Sequence, residues 1–462
     1  MSSTLAPVLD QVDSTLDESL ERLFELVRIP SISTDPAFAD DVAAAADWAV
    51  RDLASIGFTA SLRTTPGHPM VVAHWQGPVD REAPHVLFYG HYDVQPVDPI
   101  ELWQRPPFEP AIESHADGSR ILLGRGTADD KGQFLTFVEA CRAHVAVTGK
   151  LPIRVSVFLE GEEESGSPSL SAFLDENHDE LACDLALVCD TNMWDKATPA
   201  ITATLRGLVG EEVTVRCANR DLHSGLYGGP ALNPIRVISG ILADLHDANG
   251  AVTLPGFYEG VQEPPADVRS AWDDIGLTAA DFLGPVGLSQ PAGEMDRTVL
   301  EQLWTRPTAE INGIVGGYAG DGFKTVLPAT VTAKVSFRLV AGQDPLAVRD
   351  AFRAFVTQRL PKDAHAEFKS HGAGPGLAVS FDSPALRTAQ AALTEEWGRR
   401  ALIIGGGGSI PVVGNFKRQL GMDSVMVGFG LDDDRIHSPN EKYDLNSFHK
   451  GIRSWARILA AL

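Results

Sequence analysis

Leu16, Leu20, Leu23, Phe24 and Val27 recur at helical spacing and Pro30 closes the pattern, so the chain is expected to open with an amphipathic helix docked on a core. Downstream the pattern changes to short apolar runs of strand length, at Val86–Tyr89, Ile153–Leu159, Leu185–Cys189 and Val425–Phe429. Helix-like stretches such as Gln133–Val145 separate several of them, and such alternation predicts an α/β sheet. Polar residues follow three of these runs closely: His91 after the first, Glu163 and Glu164 after the second, Asp190 after the third. In open α/β sheets ligands gather at the carboxyl ends of the strands, so these distant segments are expected to meet in one crevice.

From about Thr204 to Gly374 the texture differs. The alternating stretches EEVTVRC and ATVTAKVSFRLV, with the helix-like DPLAVRDAFRAFV after the second, predict strand and helix units of an inserted α+β domain. The expected division is 1–203 and 375–462 for a catalytic domain, with 204–374 inserted between them. Gly250–Pro307, rich in Pro and Asp, carries no clear period, and neither an internal repeat nor a low-complexity tract is found.

At 462 residues the chain exceeds the roughly 250–300 at which single cores stop growing, which supports two domains. A hydrophobic content of 44% with 22% charged residues excludes general disorder. The 62 acidic against 38 basic side chains give a net charge of −24, a field that repels phosphate backbones, so nucleic acid is not an expected partner. The first residues lack a basic and apolar leader pattern, and no apolar run approaches the roughly 18 residues of a membrane span. Cys141, Cys183, Cys189 and Cys217 show no C-x-x-C pair, which reads as reduced thiols in the cytoplasm.

The polar motifs then take on chemical meaning. In FYGHYDVQP, His91 and Asp93 stand two apart and point the same way in an extended strand. Asp93 can therefore accept the second ring N–H of a metal-bound His91. Asp129, in the glycine-bracketed GRGTADDKG, can offer one carboxylate oxygen to each of two cations at their usual spacing of roughly 3.5–4 Å. Four glutamates crowd behind a buried strand in LEGEEESGS, a conflict that a cation relieves. There Glu164 can ligate while Glu163 moves a proton between water and the leaving amine. Asp190 and His437 each lie near the end of a strand-like segment. Singly, each of these is an ordinary turn or surface residue; together they form a nitrogen and oxygen donor set without thiolate, suited to a hydrolytic zinc pair, with manganese or cobalt as alternatives.

GHYDVQP, GRGTADDKG, LEGEEESGS, DLHSGLYGG and HSPNEKYD resemble, in order and spacing, the motifs of the zinc-dependent carnosinase and aminoacylase family. The resemblance runs from RIPSIS at Arg28 through HSPNEKYD and is strongest to the cytosolic nonspecific dipeptidases. It implies a mixed-sheet zinc-peptidase catalytic domain with an inserted α+β lid and dimerisation domain. It also implies two zinc ions per subunit: Asp129 bridging, His91 and Asp190 on one metal, Glu164 and His437 on the other. Asp93 matches the orienting position and Glu163 the base. His223 matches a histidine that reaches the partner subunit's active site and steadies the oxyanion, implying a homodimer through the inserted domain. Arg338 in VSFRLV and Ser409 in GGGGSIP match positions that bind a substrate carboxylate.

The implied reaction is cleavage of dipeptides or short peptides by a hydroxide held between the metals. Asp190 stands where deacylases and carboxypeptidases of the family tend to carry Glu, which favours a dipeptidase over an N-acyl amino acid deacylase on the same metals. Gly405 and Gly406 occupy a stretch where the carnosinase-like branch commonly carries charge, which leaves side-chain preference open. A dimeric binding protein without catalysis would normally lack a ligand or the base, and here every one is present.

Overall fold

In the computed structural model, residues 4–82, 84–115, 118–407 and 410–462 are described, and the chain divides into two units. The first comprises Met1–Ala203, Val379–Ile404 and Pro411–Leu462, and the second Thr204–Ala378 with Gly405–Ile410. The last segment is one that the sequence pattern assigns to the catalytic domain. A Cβ at Gly405 would come within 2.5 Å of Thr204 Oγ1 and Trp304 Cβ, so glycine lets this stretch lie flush against the second unit.

The apolar runs become the centre of the first unit's mixed sheet. Met70–Trp75, Arg154–Glu160, His85–His91, Leu185–Val188 and Ser424–Met426 lie side by side in that order. The last four are mutually parallel, which aims their carboxyl ends at one edge of the sheet. Met70–Trp75 is antiparallel to Arg154–Glu160 and pairs outward with Phe58–Arg63. Being covered on both faces, the parallel strands are apolar almost throughout, which is why they read as runs rather than as alternation.

Helices Lys131–Thr148 and Leu445–Ala461 cover this sheet. Phe88 stacks on Phe137 with ring centres 3.8 Å apart, and Trp455 meets both edge-on. At the amino terminus two helices, Leu5–Ser14 and Leu16–Val27, stand where a single one is expected. The additional helix buries Leu5, Val8, Leu9 and Val12, the same periodic stripe one element earlier.

The second unit is built on a four-stranded antiparallel sheet ordered Thr308–Gly316, Thr330–Leu339, Gly207–Arg216, His365–Gly374. Alternate residues of Thr330–Leu339 are buried, so one face of the sheet carries the core: Val331, Val335 and Phe337 pack with Ile238, Leu242 and Phe352. Helices Pro234–Ala243 and Pro345–Arg359 supply those partners, and each begins with proline after a capping Asn233 or Asp344. No helix among the described residues is long and apolar enough to cross a membrane.

Candidate metal centre

His91 is the last residue of its strand, and its backbone N–H donates to Asp130 Oδ2 at 3.0 Å. The preceding Gly90 permits this closeness, since a Cβ there would stand 2.5 Å from Phe134 Cβ and 2.8 Å from Asp130 Oδ2. Asp129 ends the glycine-bracketed loop just before helix Lys131–Thr148. Glu163 and Glu164 open a short turn just after Arg154–Glu160, and Asp190 lies two residues past Leu185–Val188. His437 sits in a loop where Arg435, His437 and Asn440 all adopt left-handed φ, a conformation that costs a non-glycine residue energy and persists where surroundings enforce it.

These side chains converge. One cluster joins His91, Asp129 and Asp190, a second joins Asp129, Glu164 and His437, and within each the donor atoms lie within 4.8 Å of one another. Asp129 belongs to both: its Oδ1 is 3.1 Å from His91 Nε2 and its Oδ2 is 3.0 Å from His437 Nε2. Glu164 Oε2 is 3.3 Å from the same His437 nitrogen. Asp93 stands beside His91, whose Nδ1 lies 3.1 Å from the Asp93 carbonyl and 3.4 Å from Asp93 Oδ1. The backbone carbonyl is thus the nearer acceptor, a partner that the reading of Asp93 as a carboxylate orienter does not include.

Burial and crowding shift the proton affinities of these groups. Burial pushes Asp190 up to about 7; Asp129, Glu163 and Glu164 add to this and His91 opposes it. Burial also works against ionised Asp129, but hydrogen bonds to His437 and His91 outweigh it and hold its carboxyl below the ordinary range. Those with Asp129 and Glu164 raise His437 to about 10 against burial. Glu163 is raised by burial and by Glu164, Asp129 and Asp93, with His91 opposing. Glu164 Oε1 and Asp130 Oδ1 are buried with no hydrogen-bond partner among the described residues. The unsatisfied oxygen of Glu164, whose other oxygen lies 3.3 Å from the His437 ring, fits a divalent cation.

Several supporting residues escape the sequence pattern. Ser33 Oγ donates to Asp93 Oδ2 at 2.6 Å, and that oxygen also accepts the Glu164 backbone N–H at 3.0 Å. Gln95 Nε2 donates to Glu164 Oε2 at 2.6 Å. Ser33 falls within RIPSIS and Gln95 within GHYDVQP, so the motifs contain them, but neither side chain can ligate strongly and nothing marks it beforehand.

The remaining expected residues lie elsewhere in the chain. His223 belongs to the second unit, exposed at the start of a short helix, where its Nδ1 accepts the Gly225 N–H at 3.0 Å. Arg338 is on Thr330–Leu339 and lines, with Arg206 and Arg306, a cavity of about 520 Å³ inside the second unit. Ser409 lies outside the described residues.

The family described as Peptidase family M20/M25/M40 matches residues 87–461, most of the chain and all the residues of both clusters. The chain belongs to this peptidase family. It is therefore an enzyme, a peptidase of a family that uses divalent metal ions. Among relatives of this M20 peptidase, the Cys-Gly metallodipeptidase dug1 of Schizosaccharomyces pombe is 29% identical over 98% of the chain and 97% of its own length. The human Beta-Ala-His dipeptidase is 28% identical over 98% and 91%. The solved structure of the dipeptidase Dug1p from Saccharomyces cerevisiae superposes with a TM-score of 0.74 at 26% identity, covering 100% of this chain and 99% of that one.

Proposed function

We propose that this M20 peptidase hydrolyses dipeptides at a dinuclear zinc site, with His91, Asp129 and Asp190 holding one ion and Asp129, Glu164 and His437 the other. One observation carries the reading: the two oxygens of Asp129 address two different histidines, at 3.1 and 3.0 Å, in two clusters of N and O donors. When bound, such a pair polarises the peptide carbonyl and lowers the pKa of water.

The chain's own residues do the rest. Asp93 and its carbonyl fix the ring of His91, while Gln95 fixes the carboxylate of Glu164. Glu163 takes a proton from the attacking water and returns it to the departing amine. Arg338, in a cavity that also presents Arg206 and Arg306, anchors the free carboxylate of the peptide together with Ser409. His223, contributed by the partner subunit of a homodimer, donates to the developing oxyanion.

Exposed apolar side chains on the second unit support that dimer: Leu226, Ile314, Val315 and Phe323, the last 91% exposed. The four unpaired cysteines support a reducing cytoplasm. The test is hydrolysis of a panel of dipeptides and N-acetyl amino acids by protein stripped with chelator and refilled with zinc. Dipeptides should be cleaved and N-acetyl amino acids spared, with activity absent before refilling. Preferential deacylation, or full activity without metal, would overturn the proposal.

A further inference from the structure

Four residues beyond His437, Glu441 is completely buried and has no part in either donor cluster. Its carboxylate accepts four hydrogen bonds. Oε2 takes Arg125 Nη1 at 2.8 Å and the Gly126 N–H at 2.9 Å; Oε1 takes the Ala128 N–H at 2.8 Å and the Asp129 N–H at 3.1 Å. The loop that ends in the shared Asp129 is thus wrapped around a side chain from the segment that carries His437.

Other contacts tighten the same junction. The Gly124 N–H donates to the Glu441 carbonyl at 3.2 Å, and Lys442–Asp444 pairs antiparallel with Arg120–Leu123. Arg125, itself only 1% exposed, donates through Nη2 to the carbonyls of Pro96 and Ser438, the latter next to His437. Asn440 holds the other flank, accepting from the Gln104 N–H at 2.7 Å and donating to the Leu102 carbonyl at 2.9 Å. A buried carboxylate with every strong acceptor direction used, one cationic partner and three amides of a single loop is far more than charge neutralisation needs.

We propose that Glu441 is a positioning residue that sets Asp129 and His437 at the spacing both metals require. The inference rests on the dinuclear reading above. Asp129 serves both clusters, so a shift of its backbone loosens both ions together, whereas loss of a peripheral ligand loosens one. Glu441 itself offers no atom to either donor cluster and meets Asp129 only through its backbone N–H.

The experiment measures zinc affinity rather than turnover. Metal-free wild type, Glu441→Gln and Glu441→Asp are titrated with zinc against a chromophoric chelator, with folding followed by circular dichroism. Gln keeps the shape but loses charge and one acceptor, and Asp keeps the charge but withdraws it by one methylene from the Ala128 and Asp129 amides. Each should weaken both zinc equivalents by about 10–100-fold, the usual effect of removing a group that orients metal ligands. At saturating zinc, kcat should return toward wild type with KM unchanged, as positioning demands. Glu139→Gln is the control, removing a buried carboxylate whose partners are Ser19, Arg22 and Arg142. It should leave zinc affinity intact. A folded Glu441 variant with wild-type zinc affinity, or an equal loss in Glu139→Gln, overturns the inference. Wild type that takes up no zinc would instead overturn the dinuclear reading.

Discussion

Replacing Asp190 by Asn should stabilise the metal-free protein while abolishing its function. In the metal-free site, donor atoms of Asp190 and Asp129 lie within 4.8 Å of each other. Two unit negative charges at that separation repel by about 3.5 kcal/mol at an effective dielectric near 20. The neighbouring His91 and the half-buried position of Asp190 reduce the net relief to about 1–3 kcal/mol. The pH dependence follows from the raised carboxyl, which burial and Asp129 push up to about 7. A carboxyl raised on folding binds its proton more tightly in the native state. Its stabilisation is complete below the ordinary carboxylate value near 4 and is lost as pH rises through about 7. The variant's advantage should therefore be full at pH 8 and shrink toward nothing below pH 5. Urea unfolding with excess chelator, at pH 5 and pH 8, measures both. In zinc the order should reverse, because the variant lacks one of the proposed ligands. An Asn variant no more stable than wild type at pH 8, or equally favoured at both pH values, would refute the reasoning.

Glu163→Gln should lower turnover by about 100–10,000-fold, about 3–5.5 kcal/mol of barrier, while elemental analysis finds zinc unchanged. Unchanged turnover would remove Glu163 from the chemistry. Val315, 69% exposed on the strand Thr308–Gly316 at the edge of the second unit's sheet, is the place to test association. On the proposed dimer, Val315→Asp should shift the protein to monomer in sedimentation equilibrium, and activity should fall with it, as the proposed contribution of His223 across subunits requires; a dimer of unchanged affinity would contradict the assignment of that face.

What was legible beforehand follows from how each residue acts. Strands such as His85–His91 and Arg154–Glu160 are buried on both faces, so their composition alone announces them, and the polar residue at each carboxyl end marks the site. Thr330–Leu339, buried on one face, announces itself through alternation instead. Gly250–Pro307 resisted because two of its helices are short: Ala279–Leu283 and Val299–Trp304 offer too few turns for a period. Its capping boxes, Thr278 with Asp281 and Thr298 with Glu301, were the available signal. The candidate ligands are visible because few residue types can hold a cation. Glu441, Gln95 and Ser33 are not, because their importance lies in which backbone or carboxylate they meet, and Glu441 meets one more than 300 positions away. The extra helix Leu5–Ser14 is masked for a plainer reason, as the pattern beginning at Leu16 is stronger and Thr15 interrupts the two.

Diffraction recorded at the zinc absorption edge from zinc-loaded crystals tests the central claim most directly. Two anomalous peaks are expected roughly 3.5–4 Å apart with the Asp129 carboxylate between them, His91 and Asp190 on one, Glu164 and His437 on the other. A single peak, or zinc bound where Asp129 is not a ligand, would contradict it.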